Sequence, residues 1–256
     1  MSDPSARLIE LTPLEVHDSE FQLLLDKLIS LIDGKNLKVT ADQARLCLQH
    51  LLYVEQVNHV INLTRITDLD EALVLHILDS LMLLPVLPDS CTSYLDMGTG
   101  AGFPGIPLAI CTSAQGTLLD SVGKKVNAVQ TIADELGLRN VSTAHDRLES
   151  YALSHTFDFD VVVARALASL PVLLEYARPF LKIGAFFYVM KATPERDEII
   201  AGKKVCKMLG YSFKQRVEFD LPNNLGHRLI YIYEVVTKSS IKLPRQNGLA
   251  RKKPLA

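Results

Sequence analysis

Tryptophan is absent from this sequence, and so is any apolar run of the roughly 18 residues that a membrane-spanning helix needs. The richest stretch, Val161 to Leu174, carries Arg165 inside it. A bilayer-spanning helix is thereby excluded. Cysteine is scarce: Cys47, Cys91, Cys111 and Cys206 are the four, and none forms a CxxC pair. That excludes a disulfide scaffold and predicts buried free thiols in a cytoplasmic protein. The polar start, MSDPSARLIE, does not read as a signal peptide. The Asn62-Leu63-Thr64 sequon is then without meaning. No metal-ligand cluster and no Ser/His/Asp arrangement stands out, so no metal is expected.

Net charge is also nearly lacking, at -2 over 256 residues. A uniformly basic nucleic-acid binder is excluded. The charge is unevenly spread, however. Met1 to Ser30 holds six acids and two bases, whereas Val235 to Ala256 holds six bases and no acid. With 48% hydrophobic and 22% charged residues, the chain has a globular composition.

The patterning changes along the chain. Three helical segments come first, over 21–32, about 41–60 and from a Thr67/Asp70 capping box to Pro85. Short apolar strands then alternate with helices, with strands at 93–97, 117–121, 141–144, 160–164 and 185–190. A helix is expected near Pro104 to Cys111, with Pro104 in its first turn. Two last strands, 213–220 and 228–236, are joined by a turn-rich segment too short for a crossover, so they must be antiparallel. The series predicts an α/β fold: a seven-stranded, mostly parallel Rossmann-like sheet with a C-terminal antiparallel hairpin. A helical extension (1–88) precedes the core (89–237), and a basic tail (238–256) follows. The tail has no periodicity and is expected to be mobile or ordered by a partner.

The strongest chemical signal is the segment from Leu95 to Gly105, where a strand runs into alternating glycines and then a helix. Gly98 and Gly100 suit a backbone that a ligand approaches closely. A dinucleotide GxGxxG would need glycine where Phe103 stands, and a Walker A lysine is missing. The GxGxG pattern suits a nucleoside without a pyrophosphate, such as S-adenosylmethionine. Asp120 closes the next strand, placed to accept from ribose hydroxyls. Leu148 and Glu149 follow the third strand, where an adenine would lie. Arg165 ends the fourth strand and faces the same crevice.

These segments resemble the small-subunit (16S) ribosomal RNA guanosine-N7 methyltransferase family, also called the glucose-inhibited division protein B family. The resemblance rests on Asn62-Leu63-Thr64, on His76 to Leu81, and on the glycine block extended through Pro107-Leu108. It also rests on Leu118 to Ser121 with Gly123-Lys124-Lys125, and on Arg165 to Leu170. It implies a class I methyltransferase fold and S-adenosylmethionine as cofactor. It implies cofactor contacts at Gly98, Phe103, Leu148, Glu149 and Arg165, with the ribose at Asp120. The sequence departs from the family's pattern at Leu75, where the family has arginine before the histidine. It departs again at Val57 and His59, where tryptophan and lysine are common.

Guanine N7 carries a lone pair and no proton, so its methylation needs alignment more than a general base. Arg165 is the candidate catalytic residue, as a donor to guanine O6 or a partner for the cofactor carboxylate. His76 reads as a hydrogen-bonded packing residue. Asp79 and Ser80 are expected to hold the extension against the core. The tail bases, with Lys124, Lys125, Arg147, Lys191 and Arg228, form the expected patch for ribosomal RNA or a ribosomal particle. A monomer with no membrane partner is expected. Two other readings stay open on the residues alone: a nicotinamide-dependent oxidoreductase and a non-catalytic RNA-binding protein.

Overall fold

The computed structural model describes residues 9–256. Asp3 and Arg7 of the acidic N-terminal run lie outside the described residues. The extension begins with α1 (Ser19–Asp33), whose start is capped by the Asp18 carboxylate accepting from the Glu20 amide. Helix α2 (Ala41–Asn58) opens on a full capping box, with Thr40 and Gln43 each accepting from the other's amide. Such a cap is worth about 1 kcal/mol. Apolar residues three and four apart, such as Leu24, Leu28 and Ile32, point inward because that spacing lines one helix face.

The third helical stretch differs from expectation at its start. Its cap is Asp68, which accepts from the Glu71 amide at 2.9 Å, and not Thr67. The stretch has three parts: α3 (Leu69–Ala72), a wider π turn (Leu73–Leu78) and α4 (Asp79–Leu81). Pro85 sits inside a following 3-10 turn, Leu84–Val86.

The core then alternates. Strand β1 (Ser93–Met97) leads to α5 (Gly105–Cys111), and β2 (Gln115–Asp120) to α6 (Gly123–Glu135). Pro104 precedes α5 as its cap and lies outside the first turn. Strand β3 (Val141–His145) is followed by a one-turn helix, α7 (Leu148–Tyr151), which the sequence pattern does not reveal. Next come β4 (Phe159–Arg165), α8 (Leu170–Ala177), β5 (Leu181–Lys191) and α9 (Arg196–Leu209). Strands β6 (Tyr211–Asp220) and β7 (His227–Val235) and the short α10 (Leu249–Lys252) complete the chain. Gly137 and Gly210 stop the helices before them at positive φ (69° and 77°), which costs glycine little.

The sheet order is β3-β2-β1-β4-β5-β7-β6. The first five strands are parallel, and β7 pairs antiparallel with both β5 and β6. This is the mostly parallel, hairpin-ended sheet that the alternation predicts. The order reverses between β1 and β4, and both strands end at one edge. Such a switch point leaves a crevice beyond the strand ends.

Central strand β4 buries Val161, Val162, Val163 and Ala164 completely, since helices cover both of its faces. The extension and one sheet face share a single hydrophobic cluster running from Phe21 to Ile232. A second cluster fills the other face, between the strands, α8 and α9. Cys47 and Cys206 are buried, as expected, while Cys91 and Cys111 are only half-buried.

The tail corrects an expectation. It is neither free nor without structure in the absence of a partner. Arg245 makes a paired contact with both carboxylate oxygens of buried Glu175, at 2.7 and 2.6 Å. Ala250 is buried, and Ile241, Leu243 and Leu255 lie against the second cluster. Glu175 explains the docking: an acid inside apolar α8 needs a cation, and the tail supplies it.

Candidate active site

The site begins at the carboxyl end of β1, where the chain must turn sharply from strand to helix. Gly98, Gly100 and Gly102 all have positive φ, at 72°, 60° and 90°. The amides of Gly98 and Thr99 still donate to Leu119 O, so the turn stays tied to β2. Asp96 closes it from below. Its Oδ2 accepts from the Thr99 hydroxyl at 2.7 Å and from the Gly105 amide at 2.9 Å, so one carboxylate joins both ends of the loop. Burial raises the pKa of Asp96 to about 6, against the opposing pull of those hydrogen bonds.

Asp120 ends β2 beside the turn. Its Oδ2 accepts from the Gly100 amide at 3.0 Å, and its Oδ1 accepts from the Val122 amide at 2.9 Å. A carboxylate can accept about four hydrogen bonds, so capacity remains for a diol. Gly98, Gly100, Phe103, Asp120 and Arg165 line one cavity of about 690 Å³. Leu148 and Glu149 do not line it. They line a smaller cavity of about 220 Å³, which shares Gly98, Asp120 and Leu167 with the larger one. The seven predicted residues thus surround two adjoining chambers. Leu167 lies between them, and a Cβ on Gly98 would come within 2.7 Å of its Cδ1.

Phe103 is buried and held between two imidazoles. Its ring stacks on His76 at 4.7 Å, nearly parallel, and meets His50 at 4.3 Å. The Arg165 guanidinium lies 5.6 Å from the Phe103 centroid, a cation–π contact. His50 carries no signal in the sequence, because a lone histidine in an apolar helix reads as core.

Both imidazoles are neutral at pH 7. Burial lowers the pKa of each to about 3, and Arg165 pushes in the same direction. The geometry agrees. His76 Nδ1 faces the Arg165 Nη2 donor at 3.3 Å, so it accepts, and Nε2–H donates to Thr64 Oγ1 at 2.8 Å. His50 Nε2–H donates to Ala101 O at 3.0 Å, and its buried Nδ1 has no partner among the described residues. A second proton on either ring would face a cation or nothing.

Arg165 joins the extension to the core. Its Nη1 donates to Leu75 O at 2.7 Å and to Asp79 Oδ2 at 3.2 Å. The π turn widens the helical ladder here, and the Leu75 carbonyl accepts from outside the helix. Asp79 also faces Arg228 Nε at 3.5 Å, a charge contact rather than a hydrogen bond. Its side chain is 4% exposed, so it is a buried acid shared by two cations. Asp79 therefore bridges the two parts, as expected. Ser80 does not, because its hydroxyl donates back to His76 O in its own helix.

The expected basic residues divide. Lys191 donates to Ala168 O at 3.1 Å and pairs with Glu198 at 2.8 Å, so its charge is used within the fold. Lys125 lines the larger cavity, and Arg147 the smaller. His59, where the family has lysine, is exposed and pairs with Glu55 one turn back. Among the described residues, no group of three or more His, Cys, Asp or Glu is arranged to hold a metal. Nor is any helix among them long and apolar enough to cross a membrane.

Such chambers suit a nucleoside with a polar extension. The glycine turn has no room for a Cβ at Gly98, and it carries Phe103 where a dinucleotide fingerprint needs glycine. A solved structure with the same fold is that of a Klebsiella pneumoniae protein assigned as an O-methyltransferase. It aligns with a TM-score of 0.53 at 16% identity, covering 73% of this chain and 90% of that one. Two curated relatives are each named ribosomal RNA small subunit methyltransferase G. The one from Acetivibrio thermocellus is 37% identical over 201 residues, 77% of this chain and 83% of its own. The one from Desulfitobacterium hafniense is 37% identical over 226 residues, 86% of this chain and 92% of its own. The profile described as rRNA small subunit methyltransferase G (GidB) matches residues 43–225. That match takes in most of α2, the Thr64–His76–Arg165 contact and the whole glycine turn, and the chain belongs to the small-subunit ribosomal RNA methyltransferase G family.

Proposed function

We propose that this chain uses S-adenosylmethionine to methylate N7 of a guanosine in small-subunit (16S) ribosomal RNA. The observation that carries the reading is the glycine turn, held by Asp96 and Asp120 at the switch point between two joined cavities. Family membership selects methyl transfer over the oxidoreductase and non-catalytic readings.

The cofactor supplies an electrophilic methyl group on a sulfonium, and its positive charge passes to the purine. No proton leaves N7, so the residues need to bind and align rather than act as a base. Asp120 holds the ribose, the amides of the glycine turn lie along the cofactor backbone, and Glu149 accepts from the adenine amine. Phe103, wedged between neutral His76 and His50, is a rigid floor. Those neutral rings matter, because a sulfonium cation is repelled by positively charged neighbours. Asp79 offsets Arg165 and Arg228 for the same reason.

Arg165 spends three N–H groups on Leu75, Asp79 and His76. Two of its five donors remain. In this reading they face guanine O6, leaving N7 free to react, and Arg165 is the catalytic residue. The RNA backbone meets Lys124, Lys125, Arg147 and the exposed tail lysines Lys238, Lys242, Lys252 and Lys253. The protein acts as a cytoplasmic monomer.

The deciding experiment is methyl transfer from labelled cofactor to purified small-subunit RNA and to assembled particles, with the labelled nucleotide mapped. N7-methylguanosine is the expected product. A methyl group on an exocyclic nitrogen or a ribose refutes the N7 assignment.

A further inference from the structure

The smaller cavity is only partly built by the Rossmann-like core. Its remaining wall is the C-terminal tail, through Gly248 and Arg251. The Gly248 amide donates to Glu149 Oε1 at 2.7 Å, and Asn247 Nδ2 donates to Ser150 Oγ at 2.9 Å. Both bonds fasten the tail to α7, the turn that carries Glu149. Gly248 has φ 76°, which lets its amide aim at the carboxylate before α10 begins.

Arg251 closes the opposite side. Its Nη2 donates to Leu167 O at 3.2 Å, and Leu167 is the residue between the two chambers. The segment carrying Leu167 needs support, because Ala166 has φ 51°, in the left-handed region that an alanine adopts only under strain. Arg251 holds this segment from the tail, and Lys191 holds it at Ala168 O from β5. The tail is anchored behind these contacts by the Arg245–Glu175 pair.

We infer that residues 247–251 are the outer wall of the pocket for the cofactor's adenosine half, so cofactor affinity depends on the tail. The tail fixes Glu149 through Gly248 and Leu167 through Arg251. A base docked against β3 is thereby enclosed between the core and a segment 99 residues further along the chain. This rests on the cofactor placement proposed above. It gives Arg251 a positioning role that an exposed basic tail residue does not ordinarily have.

The test is calorimetric titration of the full chain with S-adenosylhomocysteine and with 5′-methylthioadenosine, which lacks the amino-acid half. Arg251→Ala removes an exposed side chain, and unchanged circular dichroism and Tm verify its fold. It should weaken both ligands by the same factor, at least about fivefold, the scale of one lost hydrogen bond with its ordered segment. A chain ending at residue 246 should lose more. Unchanged affinity for both ligands in Arg251→Ala overturns the inference. So does a loss confined to S-adenosylhomocysteine, because the tail would then act on the amino-acid half. If the wild-type chain binds neither ligand, the cofactor placement itself fails, a result distinguishable from either of these.

Discussion

Acidification should destabilise this protein through two histidines beneath the active site. His50 and His76 have pKa values lowered from 6.5 to about 3 by burial. A group with a depressed folded pKa binds its proton more readily in the unfolded chain. Its contribution is fully present above pH 6.5 and is lost as pH falls toward 3. Between pH 7 and pH 5, each histidine should remove about 2 kcal/mol of stability. Asp96 works the other way, because burial raises its folded pKa from 3.8 to about 6. Its proton is bound more tightly in the folded chain, so stability is lost as pH rises through that range. Over the same step down to pH 5 it restores about 1 kcal/mol. The net expectation is a loss of about 2 to 3 kcal/mol, a large fraction of a typical domain's stability. Urea unfolding at pH 7 and pH 5, with an unchanged m-value, measures it directly. In parallel, proton-resonance titration should show that neither ring takes up a proton above pH 5. Stability that holds or rises between pH 7 and pH 5 refutes the reasoning, as does either imidazole titrating near 6.5.

Other perturbations follow from the same contacts. Asp79→Leu leaves Arg165 and Arg228 without their shared acid and should cost about 3 to 5 kcal/mol by urea unfolding. Asp79→Asn, which keeps an acceptor, should cost less. Gly98→Ala combines a positive φ with a Cβ 2.7 Å from Leu167 Cδ1, so S-adenosylhomocysteine affinity should fall at least about tenfold, the effect of some 1.4 kcal/mol. Gly116→Ala tests the core, because its Cβ would collide with the Tyr94 hydroxyl and ring, and a lowered Tm is expected. Neutralising Lys238, Lys242, Lys252 and Lys253 together should flatten the salt dependence of RNA binding while cofactor affinity holds. An unchanged salt slope would remove the tail lysines from the RNA interface.

Much of the site is legible before folding because its signals are local. A strand running into alternating glycines, an acid closing the next strand and an arginine closing the fourth each sit at a fixed offset from a recognisable element. The chambers these residues surround are not legible in that way. Glu149 and Glu175 did carry a clue, since each is an acid beside apolar residues and needs a partner. Which partner it takes is a matter of distance in space. His50 gives no local sign at all, because it belongs to no motif. Leu167, though inside the Arg165 to Leu170 segment, gives no sign that it stands between two chambers, because its contacts come from other elements.

The sequence by itself determined the order of helices and strands, the turn at Gly98–Gly102, the antiparallel hairpin and the family resemblance. All of these rest on periodicity, backbone permissiveness and spacing, which act over a few residues. Only the tertiary structure decided that Asp79 is shared by Arg165 and Arg228, and that both site histidines stay neutral. It also decided that the basic tail, which lacks any periodic pattern, lies along the core. Burial makes these choices: a charge or imidazole removed from water must find a partner or change its protonation. The near-neutral total charge shows the same division. The sum is visible in the sequence, but only the fold reveals that Arg245 is consumed by Glu175 while the neighbouring lysines remain exposed.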